Sequence, residues 1–185
     1  MKVLVAYASK YGATRVIAER IADQLSAAGL EAQAQPVTTV SDLSGYGAFV
    51  IGSAAYLGHW LNDATTFVRR TGSVLASRPT WLFSSGPLGT KPTDAEGRDL
   101  RLAADPDEFA EFNEAIKPIG TRVFFGALDP GKLRFRDRAI RMLPAGRALL
   151  PEGDFRDRPD IDAWAGGIAV ELTAAPAGRP TRTSS

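Results

Sequence analysis

The chain has 185 residues, of which 44% are hydrophobic, and a formal net charge of +1, which is enough apolar material for one domain with its own core. It contains no cysteine, which excludes disulfides, thiolate metal sites, iron–sulfur clusters and cysteine nucleophiles, so any redox chemistry requires a bound cofactor. Because no apolar run is long enough to span a bilayer and no signal-peptide pattern is present, a cytoplasmic protein is expected.

The first predicted elements are a strand, a loop and a helix. Lys2–Ala8 is rich in valine and leucine, the loop Ser9–Thr14 follows at once, and apolar residues then recur at helical spacing as far as Gly29. A loop of small residues at the start of a helix predicts a phosphate site, because free N–H groups and the helix dipole stabilise an anion. The alternative is an ordinary helix start with Thr14 as its cap.

Residue types within this loop suit a phosphate ligand. Gly12 lets the backbone approach a ligand closely, and Ser9 and Thr14 supply hydroxyl donors. Lys10 could add a positive charge, although a lysine in a loop is more often solvated. The pattern S-x-x-G-x-T is weak by itself, and its position directly after the first strand is what favours the phosphate role.

The rest of the chain alternates between strand and helix patterns. The further predicted strands are residues 31–37, 48–53, 80–84 and 122–128, and the further predicted helices are residues 61–76, 106–116, 133–144 and 161–172. This alternation predicts an α/β domain with a parallel sheet. Residues 173–185 contain almost nothing to bury and are predicted to be disordered, so the folded domain is expected to span residues 1–172.

Three of the predicted strands end in small, polar loops that contain glycine. In an open doubly wound sheet, ligands bind beyond the carboxyl ends of the strands, near the point where the strand order reverses. The candidate ligand-binding residues are Ser9, Lys10, Tyr11, Gly12, Ala13 and Thr14 in the first loop, Ser53, Ala54, Ala55, Tyr56, Leu57 and Gly58 in the second, and Ser85, Gly86, Pro87, Leu88 and Gly89 in the third. No side chain is assigned a catalytic role, and no metal site is expected.

Aromatic residues and the only histidine of the chain lie in the second loop. Tyr56 is predicted to contact the ligand, whereas Trp60 is predicted to be a packing residue. His59 has a side chain of the type that titrates near neutral pH, but the preferred interpretation is a loop histidine that is hydrogen-bonded to the backbone.

The positive charge is concentrated in residues 132–147, which hold six lysines or arginines and a single acid, Asp137. A helix in this stretch places Phe135, Ala139 and Met142 in one row and arginines on another side. Such a helix could contact a membrane surface or an acidic substrate. The alternative is a surface helix that packs on its own domain and exposes its basic face to solvent. No nucleic-acid partner is expected.

Three segments, YASKYGAT, GSAAYLGHW and SSGPLG, resemble the phosphate loop and the two ring-flanking loops of the flavodoxin family, and the likeness covers about residues 1–172. The sequence Tyr56-Leu57-Gly58-His59 and the basic insert after Gly-Ala-Leu are similar to features of the menaquinone-dependent protoporphyrinogen oxidases. The resemblance implies a doubly wound five-stranded parallel sheet of order 2-1-3-4-5 with helices on both faces. It also implies that Ser9–Thr14 holds the phosphate of FMN, while the other two loops flank the isoalloxazine ring.

Two kinds of redox protein remain open at this point. One is an oxidoreductase whose flavin passes electrons to a quinone or takes them from a porphyrinogen, and the other is a non-enzymatic electron carrier. The third loop lacks the stacking aromatic of the carriers and the chain is not acidic, which counts against a simple carrier. The phosphate loop suits an 8-hydroxy-5-deazaflavin coenzyme as well as FMN.

Overall fold

The computed structural model describes residues 1–86, 104–133, 135–142 and 152–174. Its strands are β1 (Lys2–Ala8), β2 (Glu31–Pro36), β3 (Ala48–Tyr56), β4 (His59–Trp60), β5 (Thr80–Ser85), β6 (Gly120–Phe124), β7 (Ala127–Leu128) and β8 (Gly153–Asp154). Five of them form a parallel sheet in the order β2-β1-β3-β5-β6, and β4 pairs with β3 in the antiparallel direction. The predicted order 2-1-3-4-5 is confirmed once the short strand β4 is left out of the count.

Helices cover both faces of this sheet, as the family resemblance implies. The helices are α1 (Ala13–Ala27), α2 (Asn62–Ser77), α3 (Glu108–Ala115), α4 (Phe135–Met142) and α5 (Arg158–Ala174). On one face, α1 and α5 pack on the inner strands, and on the other face the same strands meet α2 and α3. A short 3₁₀ turn at Pro130–Lys132 leads into the segment before α4.

The pattern of β1 explains why this strand lies inside the sheet. Val3, Val5 and Tyr7 belong to the core beneath α1 and α5, whereas Leu4 and Ala6 belong to the core beneath α2 and α3. A strand that is buried on both faces has a nearly continuous apolar sequence, as β1 does. The edge strand β2 instead alternates polar and apolar residues and is only half buried.

One aromatic cluster closes the face beneath α5. The ring of Trp164 in α5 meets the ring of Phe124 at 5.6 Å and that of Phe83 at 6.3 Å between centroids. Phe83 in turn lies against Gly52 in β3, where an added Cβ atom would come within 2.0 Å of the phenyl ring. Glycine at position 52 therefore allows the close approach of β3 and the Phe83 side chain.

Every predicted strand after the first has different bounds in the structure: those predicted at 31–37 and 80–84 differ by one residue from β2 and β5, and the other two differ more. The predicted strand 122–128 is wrong as one element: β6 ends at Phe124, where its pairing with β5 ends, and Ala127–Leu128 pairs with β8 in a separate sheet. A strand continues only as long as a neighbour accepts its hydrogen bonds. The strand predicted at 48–53 runs on to Tyr56, because Ala55 and Tyr56 pair with β4.

The structure describes only the first residues of the C-terminal segment 173–185, which is predicted to be disordered. Thr173 and Ala174, the first two residues of the predicted disordered tail, form the last residues of α5. The rest of that tail lies outside the described residues, as do Pro87, Leu88 and Gly89 of the third loop. In the described ranges, no helix has the length and apolar character needed to cross a membrane.

Candidate functional site

The loops after β1, β3 and β5 meet at a cavity of about 820 Å³, a volume typical of sites for small molecules and cofactors. The predicted residues that line it are Ser9, Lys10, Tyr11, Ala13, Thr14, Ala54, Ala55, Tyr56, Leu57, Gly58, Ser85 and Gly86. Gly12 and Ser53 are not among its lining residues but shape the backbone next to it. The site therefore lies at the carboxyl ends of parallel strands, where doubly wound sheets bind ligands.

Gly12 and Ser9 shape the turn between β1 and α1. Gly12 has a φ angle of +92°, a left-handed conformation that glycine adopts readily, and its N–H donates to the Ser9 hydroxyl at 3.0 Å. Helix α1 then begins at Ala13 with no acidic residue in its first turn, and no described side chain caps it. Its first N–H groups are therefore free to bind an anion.

Thr14 provides the sharpest observation in this loop. The residue is fully buried and lines the cavity, yet its hydroxyl has no hydrogen-bond partner among the described residues. A buried polar group without a partner costs free energy, so such a group calls for an explanation. A hydroxyl beside an uncapped helix start fits the donor set that a phosphate group requires.

Lys10 and Tyr11 both reach a residue far along the chain. The Lys10 ammonium donates to the Asp137 carboxylate of α4 at 2.7 Å, and the Tyr11 hydroxyl donates to the same oxygen. The hydrogen bond to Asp137 raises the pKa of Lys10 above its ordinary value. Lys10 is therefore not a solvated loop lysine, because it joins the Ser9–Thr14 loop to α4.

Tyr56 presents an aromatic ring to the cavity. The Lys10 nitrogen lies 4.8 Å from the centre of this ring and 5.1 Å from the centre of the Tyr11 ring, within the range of cation–π contacts. Burial raises the pKa of Tyr56 well above its ordinary value, with a smaller effect from Tyr11 and Asp137. Tyr56 is thus a neutral phenol at physiological pH, suited to packing against a flat ring.

The second predicted loop is a β-hairpin rather than an irregular loop. Ser53 lies beneath it, fully buried, with a hydroxyl that donates to Ala54 and accepts from the Leu61 N–H. The turn is made by Leu57 and Gly58, whose φ angles are +52° and +82°. Leu57 is 100% exposed at the edge of the cavity. A fully exposed leucine in a left-handed conformation combines two unfavourable features.

The hairpin is attached to the start of α3. The Asp107 N–H donates to the Gly58 carbonyl at 2.9 Å, and Glu108 accepts from the Trp60 N–H at 3.1 Å. Trp60 is buried among the rings of Phe109 and Phe112, which confirms its predicted packing role.

The interpretation of His59 as hydrogen-bonded to the backbone is wrong. Its Nδ1 lies 3.3 Å from Glu108, and its Nε2 lies 3.6 Å from Asp107. Asp107 and Glu108, at the start of α3, are remote from His59 in sequence, so these contacts could not be deduced from the loop itself.

Several residues that line the cavity were not predicted from the sequence. They are Leu61, Ala104, Asp105, Gly126, Ala127, Leu128, Leu133 and Asp137. Gly126–Leu128 lay within a segment that was predicted to be a strand, so these residues were not predicted to line the cavity. Asp137 carried a visible signal, since it is the only acid in the basic stretch. Burial raises the pKa of Asp105, a carboxyl group on the cavity wall.

Helix α4 turns its apolar row outward. Phe135 is 87% exposed and Met142 is 76% exposed, and Ala139 and Arg138 are also exposed. The alternative in which this row packs on its own domain is therefore wrong for Phe135 and Met142. Asp137, on another side of the helix, faces the Ser9–Thr14 loop instead.

Comparison with known proteins gives a consistent result. The family model for the flavodoxin domain matches residues 4–144. Protoporphyrinogen IX dehydrogenase [quinone] of Escherichia coli (strain K12) is 28% identical over 140 residues, which is 75% of each chain. NAD(P)H dehydrogenase (quinone) of Rhodopseudomonas palustris (strain TIE-1) is 25% identical over 187 residues, covering 89% of this chain and 90% of the relative.

Solved structures show the same fold. A flavodoxin from the domain Archaea covers 94% of this chain and 99% of its own, with a TM-score of 0.56 and 17% identity. A flavodoxin from Pseudomonas aeruginosa, solved as a mutant with one cysteine replaced by serine, has the same coverage and identity and a TM-score of 0.58.

Proposed function

The chain belongs to the flavodoxin domain family, and from this premise we propose that it is an FMN-dependent oxidoreductase that passes electrons to a quinone. The observation that carries the proposal is the buried Thr14 hydroxyl, which has no partner among the described residues and lies in the cavity beside the uncapped start of α1. A phosphate group there would satisfy both the hydroxyl and the free N–H groups.

The remaining walls of the cavity suit the ring system of FMN. The ring would lie between the hairpin residues Ala54–Tyr56 and the pair Ser85–Gly86, with Tyr56 as its aromatic neighbour. Bound FMN supplies reversible two-electron chemistry, whereas the protein supplies binding, orientation and exclusion of water. Leu128 and Leu133, both buried, make the opposite wall apolar. No side chain is needed as a nucleophile.

A quinone is the preferred acceptor for two reasons. The relatives from Escherichia coli and Rhodopseudomonas palustris carry quinone in their names, and a largely apolar cavity suits a ring that has few polar groups. A porphyrinogen as the electron donor is supported only by the name of the Escherichia coli relative. This donor therefore forms a separate arm of the assay.

We also propose that α4 contacts a membrane surface. Exposed Phe135 and Met142 could insert among lipid head groups, and exposed Arg138 could pair with anionic lipid. Since many quinones dissolve in membranes, such contact would bring the cavity close to its acceptor. Replacing Phe135 and Met142 by serine should lower co-sedimentation with anionic vesicles, while Val170→Ser, a change at an exposed apolar position of α5, should not.

The test of the proposed function begins with cofactor binding. Purified protein is titrated with FMN and, in parallel, with the 8-hydroxy-5-deazaflavin coenzyme, and binding is followed by absorbance and fluorescence. Binding of one FMN per chain supports the proposal, whereas selective binding of the deazaflavin would mean that the deazaflavin and not FMN is the cofactor. The loaded protein is then assayed with a menaquinone analogue and with a porphyrinogen. FMN binding without turnover of either would favour an electron carrier.

A further inference from the structure

We propose that Asp137 and the phosphate group of the cofactor compete for Lys10, so that cofactor binding loosens α4 from the phosphate loop. This inference rests on the proposed function and concerns its regulation. In this proposal Asp137 lowers the affinity for the cofactor. The attachment of α4 to the Ser9–Thr14 loop is then weaker when the cofactor is bound than when the site is empty.

The Lys10 side chain is already engaged by a carboxylate. Asp137 accepts hydrogen bonds from both Lys10 and Tyr11, two neighbouring residues of the loop that is proposed to bind phosphate. The Lys10 and Asp137 side chains are 29% and 21% exposed, so solvent screens their attraction only in part. A carboxylate therefore already neutralises the positive charge of the loop that is proposed to bind phosphate.

Charge decides the competition. The FMN phosphate carries close to two negative charges at neutral pH, and the Asp137 carboxylate carries one. Two anions on one ammonium repel each other, and the helix dipole of α1 stabilises only the anion that lies at its N-terminus. The phosphate therefore displaces the carboxylate from Lys10, and Asp137 must move away from a group of like charge.

The position of α4 explains why this displacement has a consequence. Among the described residues, the hydrogen bonds between α4 and the phosphate loop are those of Asp137, while Phe135 and Met142 face solvent. Loss of these two contacts removes the hydrogen bonds that the described side chains of α4 make to that loop, whereas Leu133 in the preceding segment stays buried. A loaded site would then present the apolar row of α4 more freely than an empty one.

The coupling between phosphate binding and the Asp137 contact can be measured from either side. If the phosphate weakens the Asp137 contact, removing that contact must strengthen phosphate binding to the same degree. We expect Asp137→Asn to bind FMN about tenfold more tightly than the wild-type protein, within the usual range of such couplings. Riboflavin, which has the same ring but no phosphate group, should bind both proteins equally.

Two controls separate competition from simpler effects. Asp162→Asn removes the carboxylate of a different ion pair, the one that Asp162 in α5 makes with Arg20 in α1, and should leave FMN affinity unchanged. In a Lys10→Gln background, Asp137→Asn should no longer change FMN affinity, because the shared cation is gone. If the gain persisted in that background, long-range repulsion rather than competition would explain it, and the proposal would be overturned.

Movement of α4 is measured with a fluorescent label. Because the chain has no cysteine, Ala139→Cys gives a single labelling site on α4, and Val170→Cys gives a matched exposed site on α5. FMN and inorganic phosphate should raise the mobility of the α4 label, seen as lower anisotropy, whereas riboflavin should not. The α5 label should respond to none of them.

The outcomes are distinct. Unchanged or weaker FMN binding by Asp137→Asn, an equal gain for riboflavin, or a silent α4 label despite bound FMN would each refute the competition and leave the proposed function intact. Failure of the wild-type protein to bind FMN would refute the proposed function and the competition together.

Discussion

Arg20 in α1 and Asp162 in α5 form a bidentate ion pair, in which both hydrogen bonds are 2.6 Å long. This geometry matches the planar guanidinium group to both carboxylate oxygens, and it joins two helices on the same face of the sheet. The pair links a residue of the first helix to one in the last described helix.

Asp162→Asn should lower the midpoint of urea unfolding, because one charged partner and the paired geometry are lost. Glu19→Gln is the matched control, since Glu19 lies 3.7 Å from Arg15 in an exposed pair within α1 and should matter little. Equal midpoints for Asp162→Asn and the wild-type protein would show that the pair contributes nothing to stability.

Thr14→Val should weaken FMN binding about tenfold or more, the usual effect of losing a hydrogen bond to a charged group. The same change should leave the free energy of unfolding unchanged or raise it slightly, because the hydroxyl has no partner among the described residues. Isothermal titration calorimetry and urea unfolding measure the two quantities. Thr65→Val, whose hydroxyl donates to the Asn62 carbonyl, is the control and should retain FMN affinity.

Tyr56→Leu should weaken FMN binding by about fivefold to tenfold, because a flat aromatic surface is lost from the cavity wall. Tyr56→Phe should bind FMN as well as the wild-type protein, since the raised pKa keeps the hydroxyl neutral and the ring carries the contact. Binding is followed by the quenching of FMN fluorescence. A loss in Tyr56→Phe equal to that in Tyr56→Leu would assign the contact to the hydroxyl instead.

Leu57→Asn should raise the free energy of unfolding by about 0.5–1 kcal/mol, because asparagine tolerates the left-handed conformation better than leucine. The φ angle of Leu57 is +52°, and the side chain is fully exposed, so no packing is lost. Thermal unfolding by circular dichroism provides the measurement. A decrease in stability would mean that the leucine side chain makes a stabilising contact.

Asp105→Asn should change the pH dependence of stability. Desolvation at the cavity wall raises the pKa of Asp105 in the folded state. The stability that the protonated carboxyl group contributes is therefore fully present below the ordinary pKa of 3.8, and it is lost as the pH rises through the raised pKa of the folded protein. At pH 7 the variant should therefore be more stable than the wild-type protein, by only roughly 0.5 kcal/mol because Asp105 is partly exposed and solvent screens its charge. Near pH 3.5 the difference should disappear. A constant difference at both pH values would exclude the charge as its cause.

The local sequence was sufficient to predict the first strand, the loop that follows it and the first helix. The predicted strand Lys2–Ala8 is confirmed to the residue, because valine and leucine at successive positions are typical of a strand that is buried on both faces. The position of the cavity at three strand ends likewise follows from the topology of doubly wound sheets.

The contacts that complete the site depend on pairing across the chain. Asp137 reaches Lys10 from 127 positions away, and no local pattern encodes that distance. Short strands such as β4 and β7 form only because a partner strand is present, so propensity alone does not reveal them. The predicted strand 122–128 failed for this reason, since its second half leaves the main sheet to pair with β8.

The contact of Trp164 with Phe83 and Phe124 sets an order of events during synthesis. Until residues 158–174 leave the ribosome, the rings of Phe83 and Phe124 lack their cover, and the nascent chain exposes an apolar sheet face. Such a chain is open to aggregation and to capture by chaperones. Interruption of translation before α5 would therefore yield an aggregation-prone product rather than a smaller working domain.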